Sequence, residues 1–382
     1  MLFTDVLGDS HQKAHLISSA DKGRIAHAQL FVGPEGSGTL PTALAYATYL
    51  LCLQHQNKPD LYEACLAKCR SLNHPDLHFA FPVANTDKVK SHAVSDVYMD
   101  DWRAFIKEQA YGNLFDWYRQ MGIERKQGQI GVLEAQEIVK KLQLKSYEGG
   151  YKVLLVWMAE KMNPSASNKL LKLIEEPPEK TVIILIAEDD EQLIKTIRSR
   201  CQLLQFNPLP QAVIVESLKE KGLNEEAAIK IAHEAHGNYN KALDLMRNDS
   251  EDLIFEKWFV QWMRSAFKAK GNKAAIHQLL LWSEGVARTG REAQKKFLEY
   301  CLSTMRQALL LNYGAKDLVY LSMHTPDFDL NKFAPFVHEN NIELISHELE
   351  KAILHVERNG NSKLIFTDLS IKLTRLLHMK AA

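Results

Sequence analysis

The sequence predicts an α/β fold with a buried parallel sheet in its first two hundred residues and only helices after it. Three short runs rich in Val, Ile and Leu are typical of strands covered on both faces. They are "QLFVG" (29–33), "KVLLVW" (152–157) and "VIILIA" (182–187). Helical patterns lie between them at 132–144 and 165–178, the second ending at two prolines. Strand, crossover helix and strand in succession indicate a parallel layer fold.

The strand signal ends near "FNPLP" (206–210). A chain of 382 residues is also longer than one hydrophobic core usually serves. We therefore predict an α/β domain over 1–207, a small helical domain over 208–249 and a larger all-helical domain over 250–382.

Residues 83–128 fit this plan poorly, because they separate two expected strands by more than a usual connection. The segment is rich in aromatic residues, which argues against disorder. We predict a folded insertion or a docking surface that uses Trp102, Phe105, Tyr111, Phe115, Trp117 and Tyr118.

Composition excludes several classes of protein. Basic and acidic side chains balance at 47 each, whereas a chain that holds nucleic acid alone usually has a basic excess. There is no long apolar run for a membrane span, and we expect no secretory signal. Five cysteines make a disulfide framework unexpected and favour the cytoplasm. Of these, Cys201 and Cys301 are expected to be structural.

The stretch "GPEGSGTLPTA" (33–43) has the glycine spacing of a phosphate-binding P-loop between a strand and a helix. Such a loop needs Lys at position 39 for the phosphates and Ser or Thr at 40 for Mg²⁺. This chain has Thr39 and Leu40 there. The glycine framework of Gly33, Gly36 and Gly38 is kept, while the charged and metal-binding groups are lost.

Two further changes weaken this site. Pro41 has no N–H to offer an anion, although it suits the first turn of a helix. The strand that should end in a metal-binding acid and a catalytic Glu ends in Trp157 and Met158. We predict that the chain does not hydrolyse ATP. An ordinary glycine-rich turn is the alternative, and the flanking strand and helix argue against it.

Five segments of the first 250 residues occur in a recognisable order. They are "GRIAHAQLFVGPEGSG" (23–38), "HPDLHF" (74–79), "NPSASNKLLKLIEEPPEKTVIILIAE" (163–188), "IKTIRSRCQLLQFNPL" (194–209) and "GNYNKALDLM" (237–246). Together they resemble the AAA+ clamp-loader subunits of bacterial DNA polymerase III. The resemblance implies an AAA+ domain with the insertion at about 83–128, a helical lid domain and an all-α C-terminal collar domain for oligomerisation.

Within this family, the emptied site favours the delta-prime subunits, which often lack the P-loop lysine. Asn240 occupies the sensor-2 position, usually arginine in active members, and Glu188 lies near the sensor-1 position. The resemblance implies a subunit of the DNA-directed DNA polymerase holoenzyme, without activity of its own. No cofactor is expected, because the ATP belongs to a neighbouring subunit.

The resemblance gives a role to Arg200 in the motif Ser199-Arg200-Cys201. In the family this arginine is a finger that reaches into the ATP site of the neighbouring subunit. A guanidinium stabilises the charge that spreads over a transferring phosphoryl group, and it can do so in trans. Arg198 is expected to support the loop.

The family also carries a zinc module with four cysteines. This chain offers Cys52, Cys65 and Cys69, with His55 or His74 as the fourth candidate ligand. Because one cysteine is missing and the loop is shorter, we favour free or buried thiols and expect no metal.

The expected partners are the gamma/tau-type and delta-type clamp-loader subunits, the sliding clamp indirectly and primer–template DNA through the assembly. One alternative is an active clamp-loader ATPase subunit, whose missing cation Lys161, Lys169 or Lys241 would have to supply. Another is a non-catalytic DNA-binding or scaffolding module, which neutral net charge disfavours.

Overall fold

The computed structural model describes residues 1–86, 89–124, 126–247, 251–321, 323–326 and 328–380. The chain forms two compact units. The first consists of residues 1–123 and 127–243, and the second is made largely of residues 244–382.

A parallel sheet of five strands, in the order β2-β3-β4-β1-β5, forms the centre of the first unit. The three predicted apolar runs are strands, as expected. The other two strands have four residues each, and the edge strand β5 leaves Leu203 exposed, so neither gives a continuous apolar run. The strands are β1 (Ala28–Val32), β2 (Leu77–Ala80), β3 (Lys152–Trp157), β4 (Thr181–Ala187) and β5 (Gln202–Gln205).

Helices cover both faces of this sheet, which explains why β1, β3 and β4 are buried along their whole length. Side chains such as Phe31 pack with α2 and the insertion, whereas Leu30 and Val32 pack toward α6 and α7. The helices that begin in this unit are α1 (Ser10–Asp21), α2 (Thr39–Cys52), α3 (Pro59–Arg70), α4 (Met99–Gln109), α5 (Leu114–Met121), α6 (Val132–Gln143), α7 (Pro164–Glu175), α8 (Lys195–Arg198), α9 (Gln211–Glu220), α10 (Glu225–Ala235) and α11 (Tyr239–Arg247).

Short 3₁₀ helices complete the described secondary structure of both units. They are Phe3–Asp5, Leu53–His55, Ser95–Tyr98, Ala159–Lys161, Asp190–Gln192, Lys316–Leu318 and Ala334–Phe336.

The described part of the second unit is helical, which confirms the predicted fold class of a parallel α/β sheet followed by helices. Its core contains the stacked rings of Trp262 and Trp282, 4.6 Å apart, with Phe297 and Phe366 beside them. Among the described residues, no helix is both long and apolar enough to cross a membrane. The helices are α12 (Glu251–Lys268), α13 (Lys273–Ala287), α14 (Arg291–Asn312), α15 (Leu330–Phe333), α16 (Glu339–Glu357) and α17 (Ser362–Leu376).

Candidate functional site

The glycine-rich loop joins β1 to α2 and keeps the backbone of a phosphate-binding loop. Gly36 and Gly38 adopt φ angles of 72° and 91°, in the left-handed region that side chains rarely enter. Gly38 caps α2, which begins at Thr39, so Pro41 lies in the first turn as expected. The local fold therefore survives the loss of the phosphate-binding side chains.

The pocket at this loop is small. Its volume is about 20 Å³, enough for about one water molecule, whereas small-molecule sites usually measure about 300–1,000 Å³. Leu40, Trp157, Met158 and Tyr111 form part of its wall. Among the described residues that line it there is no lysine or arginine, so Lys161, Lys169 and Lys241 do not replace the missing P-loop cation.

Aromatic side chains of the insertion pack beside the pocket, at the end of β3. Trp157 stands where a metal-binding acid would end β3, and its ring lies 5.2 Å from Trp102 and 5.7 Å from Phe105. The Trp102 side chain is fully buried, as is that of Trp117. The described part of the insertion is thus folded, and Trp102, Phe105, Trp117 and Tyr118 belong to the core of the first unit, whereas Tyr111 and Phe115 are only partly buried.

The three helices α9–α11, here called the lid helices, contact the loop directly. The backbone N–H of Tyr239 donates to the carbonyl of Gly36 at 3.3 Å. A Cβ atom on Gly36 would lie 2.1 Å from Oδ1 of Asn238, so only glycine allows this approach. The Tyr239 ring also meets Tyr111 of the insertion edge-on at 4.8 Å. The lid helices are therefore packed directly against the glycine-rich loop and the insertion.

Polar contacts join the loop, the insertion and the lid. Oε1 of Glu35 accepts hydrogen bonds from Nδ2 of Asn113 at 2.9 Å and from Nδ2 of Asn238 at 3.1 Å. The buried Asn240, which occupies the predicted sensor-2 position, donates to Asp116 Oδ2 at 2.8 Å. Its amide thus binds the insertion instead of a nucleotide.

Four members of this network were not predicted: Glu35, Asn113, Asp116 and Asn238. The pattern Asn113-x-x-Asp116 is a visible helix-start signal, and the two residues do cap α5 reciprocally. Their contacts with the loop and the lid depend on tertiary packing, for which the sequence carries no local signal.

Glu188, near the predicted sensor-1 position, follows β4 and lines the same small pocket. Its backbone N–H donates to Glu160 Oε1 at 3.2 Å. Glu188 therefore lies at the pocket, as expected. Its acidic side chain does not favour the binding of a phosphate group.

Arg200 lies outside the pocket, in the turn between α8 and β5. Its Nε atom pairs with Glu175 Oε1 at 2.7 Å, and both side chains are about two-fifths exposed, at 42% and 41%. An Nη atom also donates to the Thr196 carbonyl at 3.1 Å. Arg198 pairs with Asp190 at 2.7 Å, which agrees with its expected supporting role.

The neighbours of Arg200 hold the turn. Ser199 ends α8, and its hydroxyl donates to the Thr196 carbonyl at 3.2 Å. Burial raises the pKa of the Cys201 thiol to about 11, so this thiol stays protonated at neutral pH. Both residues shape the turn, and neither has the character of a reacting group.

The sheet places Arg200 far from the loop of its own chain. Parallel pairing sets Gln202 of β5 beside Gln29 of β1, so Arg200 lies where both strands begin. The glycine-rich loop follows Val32, where β1 ends. The five residues of β1 span about 16 Å, which exceeds the reach of an arginine side chain. The Arg200 side chain therefore cannot reach the glycine-rich loop of its own chain.

The three candidate zinc-binding cysteines cluster, with their Sγ atoms within 4.8 Å of one another. Cys52 and Cys65 are joined as a disulfide, so the expectation of free thiols is wrong for these two. Cys69 is free, and burial raises the pKa of its thiol to about 12. Sequence spacing could not show that the turn between α2 and α3 brings these sulfur atoms together.

Candidate fourth ligands lie beside this cluster, because Cys65 Sγ, a ring nitrogen of His74 and a carboxylate oxygen of Glu148 are also within 4.8 Å of one another. Nδ1 of His74 accepts the Asp76 N–H at 3.2 Å, and Nε2 lies 3.2 Å from Glu148 Oε2. His55 Nε2 lies 3.5 Å from the same carboxylate oxygen. Both imidazoles are thus engaged with Glu148, and a metal at the three sulfur atoms would have to replace one of these contacts to complete a tetrahedral site.

We predict that protein purified under reducing conditions contains less than about 0.1 zinc ion per chain, because zinc would have to break the contact between His74 and Glu148 to gain a fourth ligand. Elemental analysis by mass spectrometry measures the zinc content. Cys69→Ser is the matched control, and its zinc content should equal that of the wild type. About one zinc ion per chain, lost in Cys69→Ser, would contradict this prediction.

Glu134 on α6 anchors the start of the insertion. Its Oε2 accepts the Ser95 N–H at 2.6 Å, and the side chain is buried. Burial raises the pKa of Glu134 to about 7. An acid whose pKa is higher in the folded state favours folding when protonated, so stability falls as pH rises from about 4.5 to about 7.

We predict that Glu134→Gln removes this part of the pH dependence. At pH 8 the variant should gain up to about 3 kcal/mol in free energy of unfolding relative to the wild type, and much less at pH 4.5. Urea denaturation at both pH values measures the difference. An advantage of the variant that is equal at the two pH values would show that Glu134 does not titrate in this range.

These features define the class of protein: a P-loop-type α/β protein with only a small pocket, lined without cations, at its glycine-rich loop. The sequence matches the family described as "DNA polymerase III, delta subunit" over residues 8–210, more than half of the chain. The chain therefore belongs to this family, and its relatives identify it as a delta-prime-like member. The resemblance found in the sequence is confirmed.

The chain is similar to several curated proteins. DNA polymerase III subunit delta' of Bacillus subtilis (strain 168) is 32% identical over 236 residues, covering 61% of this chain and 58% of that protein. The Escherichia coli (strain K12) protein of the same name is 27% identical, with coverages of 62% and 59%. DNA polymerase III subunit gamma/tau of Mycobacterium tuberculosis (strain H37Rv) is 27% identical, with coverages of 59% and 33%. The chain thus spans less than two thirds of the length of each of these relatives.

Proposed function

We propose that the chain is a non-hydrolysing subunit of the DNA polymerase III clamp-loader complex, in which it supplies Arg200 to the ATP site of a neighbouring subunit. It takes part in loading the sliding clamp during DNA replication. The observation that carries this proposal is the pairing of a small pocket without cations with an exposed arginine at the opposite end of the same strands.

The small pocket supports the first half of the proposal. A nucleotide would have to displace the Tyr239–Gly36 contact, break the Asn240–Asp116 bond and separate Trp157 from the insertion. It would gain neither a lysine nor a metal carboxylate in return. Hydrogen bonds to charged groups contribute about 1.5–3 kcal/mol each, so the lost contacts outweigh what the loop backbone offers.

The setting of Arg200 supports the second half. Exposed ion pairs contribute at most about 1 kcal/mol, so the bond to Glu175 can be exchanged for a phosphate at little cost. A bidentate guanidinium–phosphate contact in a water-poor interface is stronger than this pair. Arg200 is therefore available to a partner without unfolding any element of its own unit.

The proposed partners are the gamma/tau-type and delta-type subunits, with DNA and the clamp reached through the assembly. Relatives carrying both the delta' and the gamma/tau names support membership of one complex. The neutral net charge agrees with DNA contact that is shared with partners.

We predict that the isolated chain binds ATP more weakly than about 1 mM, because the pocket holds about one water and lacks cations. Isothermal titration with ATP and Mg²⁺ measures this. Thr39→Lys, which restores only the lysine, should stay equally weak because the lid and insertion still pack against the loop. Micromolar binding by the wild type would favour the alternative of an active ATPase subunit.

A further inference from the structure

An apolar groove runs between α13 and α17 on the second unit. Its volume is about 310 Å³. Branched and aliphatic side chains from both helices line it, with small hydroxyl residues at its base. The lining includes Ile276, Leu279, Leu280, Thr367, Ile371 and Thr374.

Three of the four hydroxyl groups that line the groove donate to carbonyls of their own helices. Ser283 donates to the Leu279 carbonyl at 2.9 Å, and Thr374 donates to the Ser370 carbonyl at 2.9 Å. Ser370 donates to the Phe366 carbonyl at 2.6 Å. The groove therefore selects an occupant by shape and apolar contact rather than by hydrogen bonds from its base.

Three aliphatic side chains of the groove are exposed and lie together in its lining. Ile276 is 47% exposed, Leu280 is 42% and Ile371 is 51%. Contiguous exposed apolar residues mark interaction sites. The lining extends over residues 276–283 of α13 and 367–375 of α17, about 10–12 Å of helix. A groove of this length between two helices suits two turns of a third helix.

The charges around the groove are asymmetric. Lys273 lies three residues before Ile276, and Arg375 lies four residues after Ile371, so both extend the groove-facing stripes. Both are exposed, and neither has an ion-pair partner among the described residues. At the other end, Glu284 is paired with Lys363. The uncompensated charge at the groove is therefore positive and lies at one end.

We infer that this groove binds an amphipathic α-helix of a partner protein, with aliphatic side chains on one stripe and carboxylates beside the Lys273–Arg375 end. The aliphatic stripe would bury Ile276, Leu280 and Ile371, and the carboxylates would neutralise the two cations. This inference does not depend on the role proposed for Arg200.

The test measures the fluorescence anisotropy of labelled helical peptides of about 18 residues added to the full-length chain. One peptide carries Leu at i, i+3, i+4 and i+7 with Glu on the remaining face, and a second has Lys in place of Glu. The acidic peptide should bind at least about tenfold more tightly than the basic one. The combined Lys273→Glu and Arg375→Glu variant should remove this preference.

Neighbouring leucines on α13 give a matched control. Leu280→Glu should weaken binding of the acidic peptide at least about tenfold, whereas Leu281→Glu, which alters an exposed leucine outside the lining, should not. Both changes lie on the surface, and circular dichroism checks the fold. Equal binding by the two variants, or no binding of either peptide, would overturn the inference. A dimer of the chain that Ile371→Glu dissolves would also overturn it, because the occupant would then be a second copy.

Discussion

Replacing Arg200 by Ala is expected to lower ATP turnover of the reconstituted clamp loader, with clamp and primed DNA present, at least about tenfold. The substitution removes a guanidinium that stabilises charge on the phosphoryl group of the neighbouring site. It should leave the fold of this chain intact, because the side chain is 42% exposed and its ion pair is a surface one. Steady-state phosphate release, with gel filtration to confirm assembly, measures the effect.

Glu175→Gln is the matched control for this prediction. It breaks the ion pair of Arg200 but keeps the guanidinium, so turnover should stay within about twofold of the wild type. If both variants lose activity equally, the ion pair itself holds the structure of the turn and Arg200 has no direct role. If Arg200→Ala changes nothing in an intact assembly, the chain acts as a scaffold.

Trp102→Ala is expected to lower the free energy of unfolding of the first unit by about 3–5 kcal/mol. The indole is fully buried and lies 4.3 Å from Phe81, 5.2 Å from Trp117 and 5.2 Å from Trp157. Removing it opens a large cavity between the insertion and the sheet. Urea denaturation followed by circular dichroism measures the loss.

Trp102→Phe keeps an aromatic ring at this position. It therefore separates the loss of the larger indole from the loss of all aromatic packing. The indole N–H of Trp102 is buried and finds no hydrogen-bond acceptor among the described residues. Phe removes this unsatisfied donor, which offsets part of the lost contact area. The loss should therefore be no more than about 1 kcal/mol. A loss below about 1 kcal/mol for Trp102→Ala itself would show that the insertion is not part of the core.

The strands and helices with strong patterns could be predicted from the sequence. β1, β3 and β4 are buried on both faces and so appear as continuous apolar runs. β5 could not be predicted, because it is a four-residue edge strand in which only Leu204 is buried, and it gives no such run. The emptied P-loop was also predictable, since each missing group is defined by a fixed position in a local motif.

What packs around the emptied site could not be predicted. The contacts of Glu35 with Asn113 and of Asn240 with Asp116 join residues 78 and 124 positions apart. No periodicity or spacing encodes contacts of this kind. Likewise, the aromatic content of the insertion predicted that it folds, but not that Trp102 packs against Trp157 at the former metal position.

Photo-crosslinking with ATP that carries a benzophenone on its γ-phosphate tests the central claim most directly. The reconstituted assembly is irradiated, and the crosslinked peptides of this chain are mapped by mass spectrometry. The account predicts crosslinks at Ser199–Cys201 that appear only when the ATP-binding neighbour is present. Crosslinks at Gly33–Thr39 of the isolated chain would contradict it. The nucleotide would then occupy the pocket against which, in this account, the lid and the insertion pack.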